Sequence, residues 1–293
     1  GTGGTIRTLA KMDRRHRKYP LDRLHGYTIA REGIDRIVEQ VSAVSQEDRS
    51  SLPGLSEHRA DSIVGGALAV QLVMEMLGAS KLSVAGFGLR EGIALALLGD
   101  DAGSVAEVRA ASLAALVSRF VAWDAARAVR RAEAASSILD AVTTEPDRSL
   151  SGLIWNVAYL LDIGRALDYF NRLSHTATIL QVADLYGYEH REIAMMTAIV
   201  RGIERKVPDL SGYAPLLDDA DYPAIELAAA TLALADEIER RSPPGPVPLA
   251  IERTGNDVEI TVHGLQPVRA GKLGHRLSKV LDRKVSIGGE LGD

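Results

Sequence analysis

Three glycines stand within the first four residues, Gly1-Thr2-Gly3-Gly4, and a threonine follows them. Glycine has no Cβ and adopts positive φ readily, so the backbone N–H groups of such a segment can come close to a ligand. The next residues have the composition of a helix, whose N-terminus favours anions because its first N–H groups are free and its dipole is positive there. The alternative is a tight turn that binds nothing. The functional interpretation is a phosphate- or nucleotide-binding set made of Gly1, Gly3, Gly4, Thr5, Arg7 and Lys11.

A basic stretch continues from this loop, diluted only by Asp13 and Asp22. Its cations are Arg7, Lys11, Arg14, Arg15, Arg17, Lys18 and Arg23. Such a stretch is either a solvated surface or a cationic rim that attracts a polyanion through salt-sensitive electrostatics. Polyphosphate and nucleotide tetra- or pentaphosphates are polyanions of this kind. No aromatic ladder for base stacking accompanies the cations, which makes nucleic acid a poorer match.

Short motifs follow the glycine loop in a fixed order. They are Leu24-His25-Gly26-Tyr27, Arg49 with Leu52-Pro53-Gly54-Leu55, Arg59-Ala60-Asp61, Gly65-Gly66 and Leu89-Arg90-Glu91-Gly92. The series resembles the second actin-like domain of the exopolyphosphatase / guanosine pentaphosphate phosphatase (Ppx/GppA) family, strongly up to Leu98 and more weakly towards Asp293. The resemblance implies part of an actin-like, ribonuclease H-like α/β layer over residues 1–102. It also implies a hydrolase of phosphoanhydrides that acts on inorganic polyphosphate or guanosine pentaphosphate.

Members of that family carry two earlier phosphate loops and a catalytic glutamate before the glycine motif, and none of these can be matched here. We therefore expect the chain to be the C-terminal part of a longer protein. The resemblance implies Mg²⁺ in the full-length protein, together with a carboxylate base that activates water. For the 293 residues alone it predicts no catalytic residue, no bound cofactor and no significant turnover.

Charged and glycine residues in the later motifs have two interpretations each. A structural polar network, with catalysis as the alternative, is the interpretation for Arg59, Asp61, Arg90 and Glu91. Gly65-Gly66 interrupts an apolar helix at a propensity cost of ~1 kcal/mol per glycine. Either close helix packing compensates for this cost, or the glycine pair lies beside the Gly1–Thr5 loop and leaves room for a phosphate chain.

Hydrophobic periodicity predicts the elements that position these motifs. Strands are predicted over Leu24–Ala30 and Lys81–Ala85, and helices over Glu32–Val44, from Ser45, over Arg59–Leu77 and over Leu89–Leu98. A helix, strand, glycine turn and helix in succession is typical of a crossover unit in an α/β layer.

Residues 103–241 predict an all-α bundle with short glycine or proline breaks between helices. The region resembles the HD-type helical domain that follows the actin-like pair in the family. In this resemblance Leu161-Asp162 takes the place of the His-Asp dyad, and His175 begins the matching helix. A divalent metal needs about four ligands, but Leu161 and Ile203 replace two of the expected histidines. Asp162 and His175 are therefore interpreted as degenerate positions, and no metal is predicted.

After the stiff Ser242–Pro246 linker, residues 247–293 predict a small α/β domain with the element order ββαβ. Alternation of Val258, Ile260 and Val262 with polar residues marks the second strand, and a helix with one apolar face follows it. We interpret this domain as a cap on the helical bundle.

Length and composition set outer limits on function. A chain of 293 residues exceeds one hydrophobic core, and the lack of cysteine excludes disulfides and thiolate sites. No apolar run reaches the ~18 residues of a membrane span, and no signal-peptide pattern occurs. We expect a cytoplasmic homodimer without a membrane partner. The alternative to a hydrolase fragment is a non-catalytic polyanion- or nucleotide-binding or dimerising regulatory protein with a degenerate HD domain.

Overall fold

The computed structural model describes residues 1–99, 103–144, 147–204, 209–247, 249–255, 257–263 and 270–290. The chain divides into two units, residues 1–103 with Tyr213–Pro215, and residues 104–212 with 216–293. Within the described ranges the protein is mostly helical, with eleven α-helices and five strands. None of the helices in these ranges is long and apolar enough to cross a lipid bilayer. The predicted boundary at residue 102 and the last three residues lie outside the described part.

The first unit surrounds a two-stranded sheet with four helices. Its elements are α1 (Gly4–His16), β1 (Thr28–Ala30), α2 (Arg31–Ala43), α3 (Ile63–Met76), β2 (Lys81–Ser83) and α4 (Leu89–Leu98). β1 and β2 are antiparallel, with Ile29 opposite Leu82. The core is apolar and includes Leu9, Tyr27 and Ile34, each with 0% of its surface exposed.

Gly1 pairs with the other edge of β2. Its nitrogen donates to the Ser83 carbonyl at 2.7 Å, and the Ala85 N–H donates to the Gly1 carbonyl at 2.8 Å. Gly1 thus bonds to the residues on either side of Val84, to Ser83 through its nitrogen and to Ala85 through its carbonyl. Two parallel strands form hydrogen bonds in this pattern. The glycine loop therefore leaves a sheet edge and enters α1.

Four predicted elements of the first unit are shorter in the structure or replaced by a turn, and the simplest case is β2, which ends at Ser83 and not at Ala85. The strand expected from Leu24 begins only at Thr28, because Gly26 at φ 84° turns the chain. Ser45 starts a turn and not an α-helix, since its hydroxyl donates to Asp48 Oδ2 at 2.8 Å and only a 3₁₀ turn follows. The helix expected from Arg59 begins at Ile63, because residues 57–59 form a separate 3₁₀ turn.

The second unit is a helical bundle with a three-stranded sheet. Its elements are α5 (Val105–Val117), α6 (Ala125–Val142), α7 (Arg148–Leu160), α8 (Arg172–Val182), α9 (His190–Gly202), α10 (Tyr222–Arg241), β3 (Leu249–Thr254), β4 (Asp257–His263), α11 (Ala270–Leu281) and β5 (Val285–Glu290). β4 lies between β3 and β5, antiparallel to the first and parallel to the second. This confirms the predicted ββαβ order, and α11 packs against α10.

A 3₁₀ turn separates α7 from α8. α7 ends at Leu160 and a 3₁₀ turn follows, because Thr176 Oγ1 accepts from the Gly164 N–H at 3.1 Å and donates to the Leu161 carbonyl at 3.0 Å. A Cβ at Gly164 would stand 2.1 Å from the Arg172 carbonyl oxygen. Glycine is therefore needed for α8 to come this close to the turn.

Candidate anion-binding site

The glycine loop leads into an uncapped helix. Gly3 precedes α1 at φ 96° and ψ 177°, so the positive φ lies at Gly3, and Gly4 is the first helical residue. No side chain caps this N-terminus, and the first turn carries no acidic residue. The first N–H groups of a helix have no acceptor within the helix. Because no side chain of the described residues caps α1, the N–H groups of Gly4 and Thr5 have no side-chain acceptor either. The end of α1 therefore keeps its donors for a ligand.

Arg59 lies directly against this helix end. A Cβ added at Gly4 would stand 2.1 Å from Arg59 Nη2 and 2.7 Å from Cζ. The arginine is exposed, and it has no ion pair or side-chain hydrogen bond with any residue in the described ranges. Its guanidinium adds a full positive charge and planar N–H donors to the dipole of α1. The Arg59 guanidinium, the positive end of the α1 dipole and the glycine backbone therefore lie next to one another.

A second helix N-terminus adjoins the first. Gly66, in the second turn of α3, lets Thr5 approach so closely that a Cβ on Gly66 would lie 2.6 Å from Thr5 Cγ2. A Cβ on Gly65 would meet nothing within 4 Å. α3 also lacks a side-chain cap and an acidic residue in its first turn. Gly66 therefore packs against Thr5, whereas Gly65 borders open space.

Two hydrogen bonds fasten the loop to the turn after β2. Arg7 Nη2 donates to the Gly86 carbonyl at 2.5 Å, and Thr2 Oγ1 donates to the Phe87 carbonyl at 2.7 Å. The Gly86 N–H donates in turn to His25 Nδ1 at 3.0 Å. Arg7 therefore acts as a tether of the loop, since its guanidinium already has a protein acceptor.

Lys11 stands apart from the rest of the predicted set. It lies seven residues beyond Gly4, which is ~10 Å along a helix. Its backbone is covered by Gly54, where a Cβ would be 2.8 Å from the Lys11 carbonyl carbon and oxygen. The structure thus brings Gly1, Gly3, Gly4 and Thr5 together with Arg59, while Lys11 faces a separate groove.

The four residues interpreted as one polar network do not form one in the structure: Arg59, Asp61, Arg90 and Glu91. Asp61 accepts from Gln46 Nε2 at 2.8 Å. Glu91 accepts from the Gly88 N–H at 2.7 Å and caps its own helix. Hydrogen bonds from the backbone N–H groups of Glu91 and Gly88 lower the pKa of the Glu91 carboxyl, and nearby arginines lower it further. Asp61 and Glu91 are each engaged with another group, and Arg59 lies at the N-terminal end of α1.

Asp162 in the second unit lies in a buried arginine cluster. Arg131, with 0% of its side chain exposed, donates to Asp162, and Arg172 Nη1 donates to Asp162 Oδ1 at 2.9 Å. Arg172 also donates to Asp236 at 2.5 Å, while Arg131 Nε lies 3.0 Å from Asp236 Oδ1. Burial acts to raise the pKa of Asp162, but Arg131 and Arg172 outweigh it, so the net shift is downward. Asp162 is therefore held as a carboxylate.

The cluster extends along α6 and α10. Glu239, with 1% of its side chain exposed, accepts from Arg127 Nη2 and Arg130 Nη2, each at 2.8 Å. Guanidinium groups thus neutralise every buried carboxylate of the cluster. The sequence carried a signal for it, since Asp236 and Glu239 lie at helical spacing in an otherwise alanine-rich, buried helix.

His175 belongs to a different neighbourhood. It is half-buried on α8, and its electrostatic effect falls on the exposed Asp168, whose pKa is lowered mainly by hydrogen bonds from Asn171 and Phe170. Asp162 and His175 therefore do not face one centre. In the described part of the chain no group of three or more His, Asp or Glu side chains could hold a metal ion.

Two sequence models of one protein family match this chain. A sequence model of the Ppx/GppA phosphatase family matches residues 1–100, and a model of Ppx/GppA phosphatase, domain III, matches residues 108–267. The second match alone covers more than half of the 293 residues. The chain belongs to the Ppx/GppA phosphatase family.

Individual relatives come from both branches of that family. Guanosine-5'-triphosphate,3'-diphosphate pyrophosphatase of Pseudoalteromonas translucida is 29% identical over 154 residues, which are 52% of this chain and 30% of the relative. Exopolyphosphatase 1 of Mycobacterium bovis is 30% identical over 86 residues, which are 29% of this chain and 25% of the relative. The crystal structure of the Aquifex aeolicus member of the Ppx/GppA family aligns at 27% identity and a TM-score of 0.31, over 36% of this chain and 34% of that one. The matched segments thus span less than a third of the lengths of these two relatives, the pyrophosphatase and the exopolyphosphatase.

Proposed function

We propose that the chain is part of a phosphoanhydride hydrolase that acts on inorganic polyphosphate or guanosine pentaphosphate. The observation that carries the proposal is the unpaired Arg59 guanidinium at the uncapped N-terminus of α1. The names of the related proteins, an exopolyphosphatase and a guanosine pentaphosphate pyrophosphatase, support this substrate class. The proposal includes an actin-like layout for residues 1–102 and an HD-like layout for residues 103–241.

In this proposal the chain's own residues bind and orient phosphate. The N–H groups of Gly4 and Thr5 donate to phosphate oxygens, and Arg59 donates as a planar fork. Gly65 leaves space for the next phosphate of the chain. No carboxylate is assigned to activate water, because Glu91 is engaged at its own helix start.

Mg²⁺ does not fit the residues of this loop. The ion takes oxygen ligands, carboxylates above all, whereas the loop presents N–H donors and a guanidinium that repel a cation. We therefore derive no step through a metal from this site. We propose that a longer protein containing the chain uses Mg²⁺ held by other residues, and that the 293 residues alone have no turnover.

Anion binding by the purified chain tests the proposal. Tripolyphosphate titrated into wild type, Gly4→Val and Arg59→Ala should bind wild type and lose about tenfold in affinity in each variant, which is ~1.4 kcal/mol. Valine at Gly4 fills the space beside the loop and displaces Arg59. Arg119→Ala, an exposed arginine of the second unit, is the charge control. Equal affinity in all four proteins would remove the loop from the proposal.

A second candidate is a non-catalytic polyanion- or nucleotide-binding regulatory protein. The buried arginines around Asp162 favour it, because they replace metal ligands with a structural ion cluster. Phosphate release from polyphosphate by a longer protein containing this chain, supplied with Mg²⁺, decides between the two. Release supports the hydrolase, and binding without release supports the regulatory protein.

Quaternary state and location complete the proposal. We propose a cytoplasmic homodimer, in which the HD-like region contributes the partner surface. Sedimentation of the purified chain should give twice the monomer mass of 31.4 kDa. A single monomeric species across micromolar concentrations would contradict the dimer, and cell fractionation tests the location.

A further inference from the structure

A basic groove runs along the C-terminal half of α1, away from the glycine loop. It encloses about 820 Å³ between α1, the turn that follows it and the Leu52–Ser56 segment. Four cations line it, together with Tyr19 and one acid: Lys11, Arg14, Arg15, Lys18 and Asp22. We call it the α1 groove.

The positive charge of the α1 groove is largely unpaired. Asp22 is occupied by Arg14, whose Nη1 donates to the Asp22 carbonyl at 3.0 Å and whose Nη2 pairs with the carboxylate. The other three cations, on Lys11, Arg15 and Lys18, are exposed and have no ion pair with any residue of the described ranges. Arg14 Nε is buried and has no hydrogen-bond partner in the described part of the chain. The groove therefore offers donors and charge to an anion.

Lys18 occupies a position that ordinarily belongs to glycine. It follows α1 at φ 50°, with its N–H directed at the Arg15 carbonyl at 3.4 Å and the Tyr19 N–H bonded to the Arg14 carbonyl at 3.1 Å. This is the Schellman arrangement, whose left-handed residue is most often glycine because a Cβ is unfavourable there. Lysine at this position carries a backbone cost that glycine would avoid, and its charge stands at the rim of the basic groove.

The groove and the loop share one face of α1. Residues at spacings of three and four lie on one side of a helix, which aligns Gly4, Arg7, Lys11 and Arg14. The span from Gly4 to Arg14 is ~15 Å at 1.5 Å per residue, and Lys18 follows beyond the end of α1. Only an extended anion can occupy both ends at once.

We propose that the α1 groove is a second subsite, which holds the distal part of a linear polyphosphate whose terminal phosphates lie in the glycine loop. It rests on the proposed function and narrows it, because a compact nucleotide fills the loop without reaching Lys18. Nucleic acid is the poorer occupant. The aromatic residue of the groove, Tyr19, packs edge-on against Tyr27 at 4.7 Å, and burial raises its pKa to about 12. It therefore has little free ring surface for base stacking.

Lys18→Gly provides a clean test, since it removes the charge and relieves the left-handed residue together. The variant should be at least as stable as wild type and bind long-chain polyphosphate about fivefold more weakly, with unchanged tripolyphosphate affinity. Lys11→Ala combined with Lys18→Gly should lose about twentyfold and reduce the dependence of affinity on salt between about 50 and 200 mM. Asp282→Gly, the other non-glycine residue with positive φ in the described part, is the backbone control, and Lys279→Ala is the charge control.

The outcomes separate the subsite from the proposed function. Unchanged long-chain affinity in Lys18→Gly, with tripolyphosphate binding still lost in Gly4→Val, would overturn the groove and leave the loop intact. Unchanged affinity for both ligands in Gly4→Val would overturn the proposed function itself. An equal loss of short and long polyphosphate in Lys18→Gly would also overturn the subsite. A larger loss for single-stranded DNA than for polyphosphate would reassign the groove to nucleic acid.

Discussion

Arginine has opposite roles at two places in this chain. Arg59, at the glycine loop, is exposed and has no side-chain partner among the residues that the structure describes, and it lies beside helix N-terminal N–H groups that are also uncapped there. Arg131, in the helical unit, is fully buried and surrounded by carboxylates on neighbouring helices. An exposed, unpaired cation on a rigid frame retains its interaction energy for a ligand, whereas a buried, paired one has used it within the fold. Pairing and exposure, more than residue type, separate a binding arginine from a structural one.

The largest effect that tests this contrast is expected for Arg131→Ala. It leaves Asp162 and Asp236 buried without their central cation, and breaking a buried ion cluster costs ~3–5 kcal/mol. Both tryptophans, Trp123 and Trp155, lie in the second unit, so their fluorescence during denaturant unfolding measures this loss directly. Arg59→Ala is the control and should change the free energy of unfolding by less than ~0.5 kcal/mol. A cost below about 1 kcal/mol for Arg131→Ala would refute the structural role of the cluster.

Gly164→Ala should be the next most severe change. The new Cβ would stand 2.1 Å from the Arg172 carbonyl oxygen, so α8 must move away and disturb the arginine that bridges Asp162 and Asp236. A cost of ~2–3 kcal/mol in the free energy of unfolding is expected, measured as above. Gly152→Ala is the matched control, because it lies in α7 with nothing within 4 Å and should stabilise by ~0.5–1 kcal/mol. Similar stabilities of the two variants would mean that α8 does not depend on this close approach.

A smaller effect distinguishes charge from geometry at the loop. Arg59→Lys keeps the positive charge but loses the planar fork that grips two phosphate oxygens. Tripolyphosphate affinity by calorimetry should fall about threefold, between wild type and the tenfold loss expected of Arg59→Ala. If Arg59→Lys bound tripolyphosphate as tightly as wild type, Arg59 would act only as a point charge. If Arg59→Lys bound tripolyphosphate as weakly as Arg59→Ala, the planar guanidinium would account for the whole contribution of Arg59 to binding.

The effect of pH on the buried cluster should be confined to acid. Arginine neighbours lower the pKa of Asp162 in the folded state, so its contribution to stability is present above the unfolded pKa of ~3.9 and is lost as pH falls through the folded value. Asp162→Asn should therefore flatten the loss of stability below about pH 4, as followed by tryptophan fluorescence. An acid limb identical to that of wild type would assign the acid sensitivity to other carboxylates.

Sequence reasoning predicted the glycine loop, the helix behind it and the membership of the chain in the Ppx/GppA family. It grouped Gly1, Gly3, Gly4 and Thr5 as one anion site because they are contiguous, and the structure has Gly3 at the N-cap and Gly4 and Thr5 in the first turn of α1. It missed Arg59 as a neighbour of Gly4, since the two are 55 positions apart. It also grouped Lys11 with the loop, although a helical rise of 1.5 Å per residue carries it to the α1 groove.

The sequence by itself determined most of the helices, the ββαβ tail and the concentration of cations after the glycine loop, because periodicity, capping and charge act over a few residues. Only the tertiary structure decided which cations stay unpaired. Burial of Leu55 in the core, with 7% of its surface exposed, anchors the segment that carries Arg59 to the end of α1. Packing of α6 against α10 places Arg131 beside Asp236, where both lose contact with water. Such pairings depend on distances between elements remote in sequence, which no local pattern records.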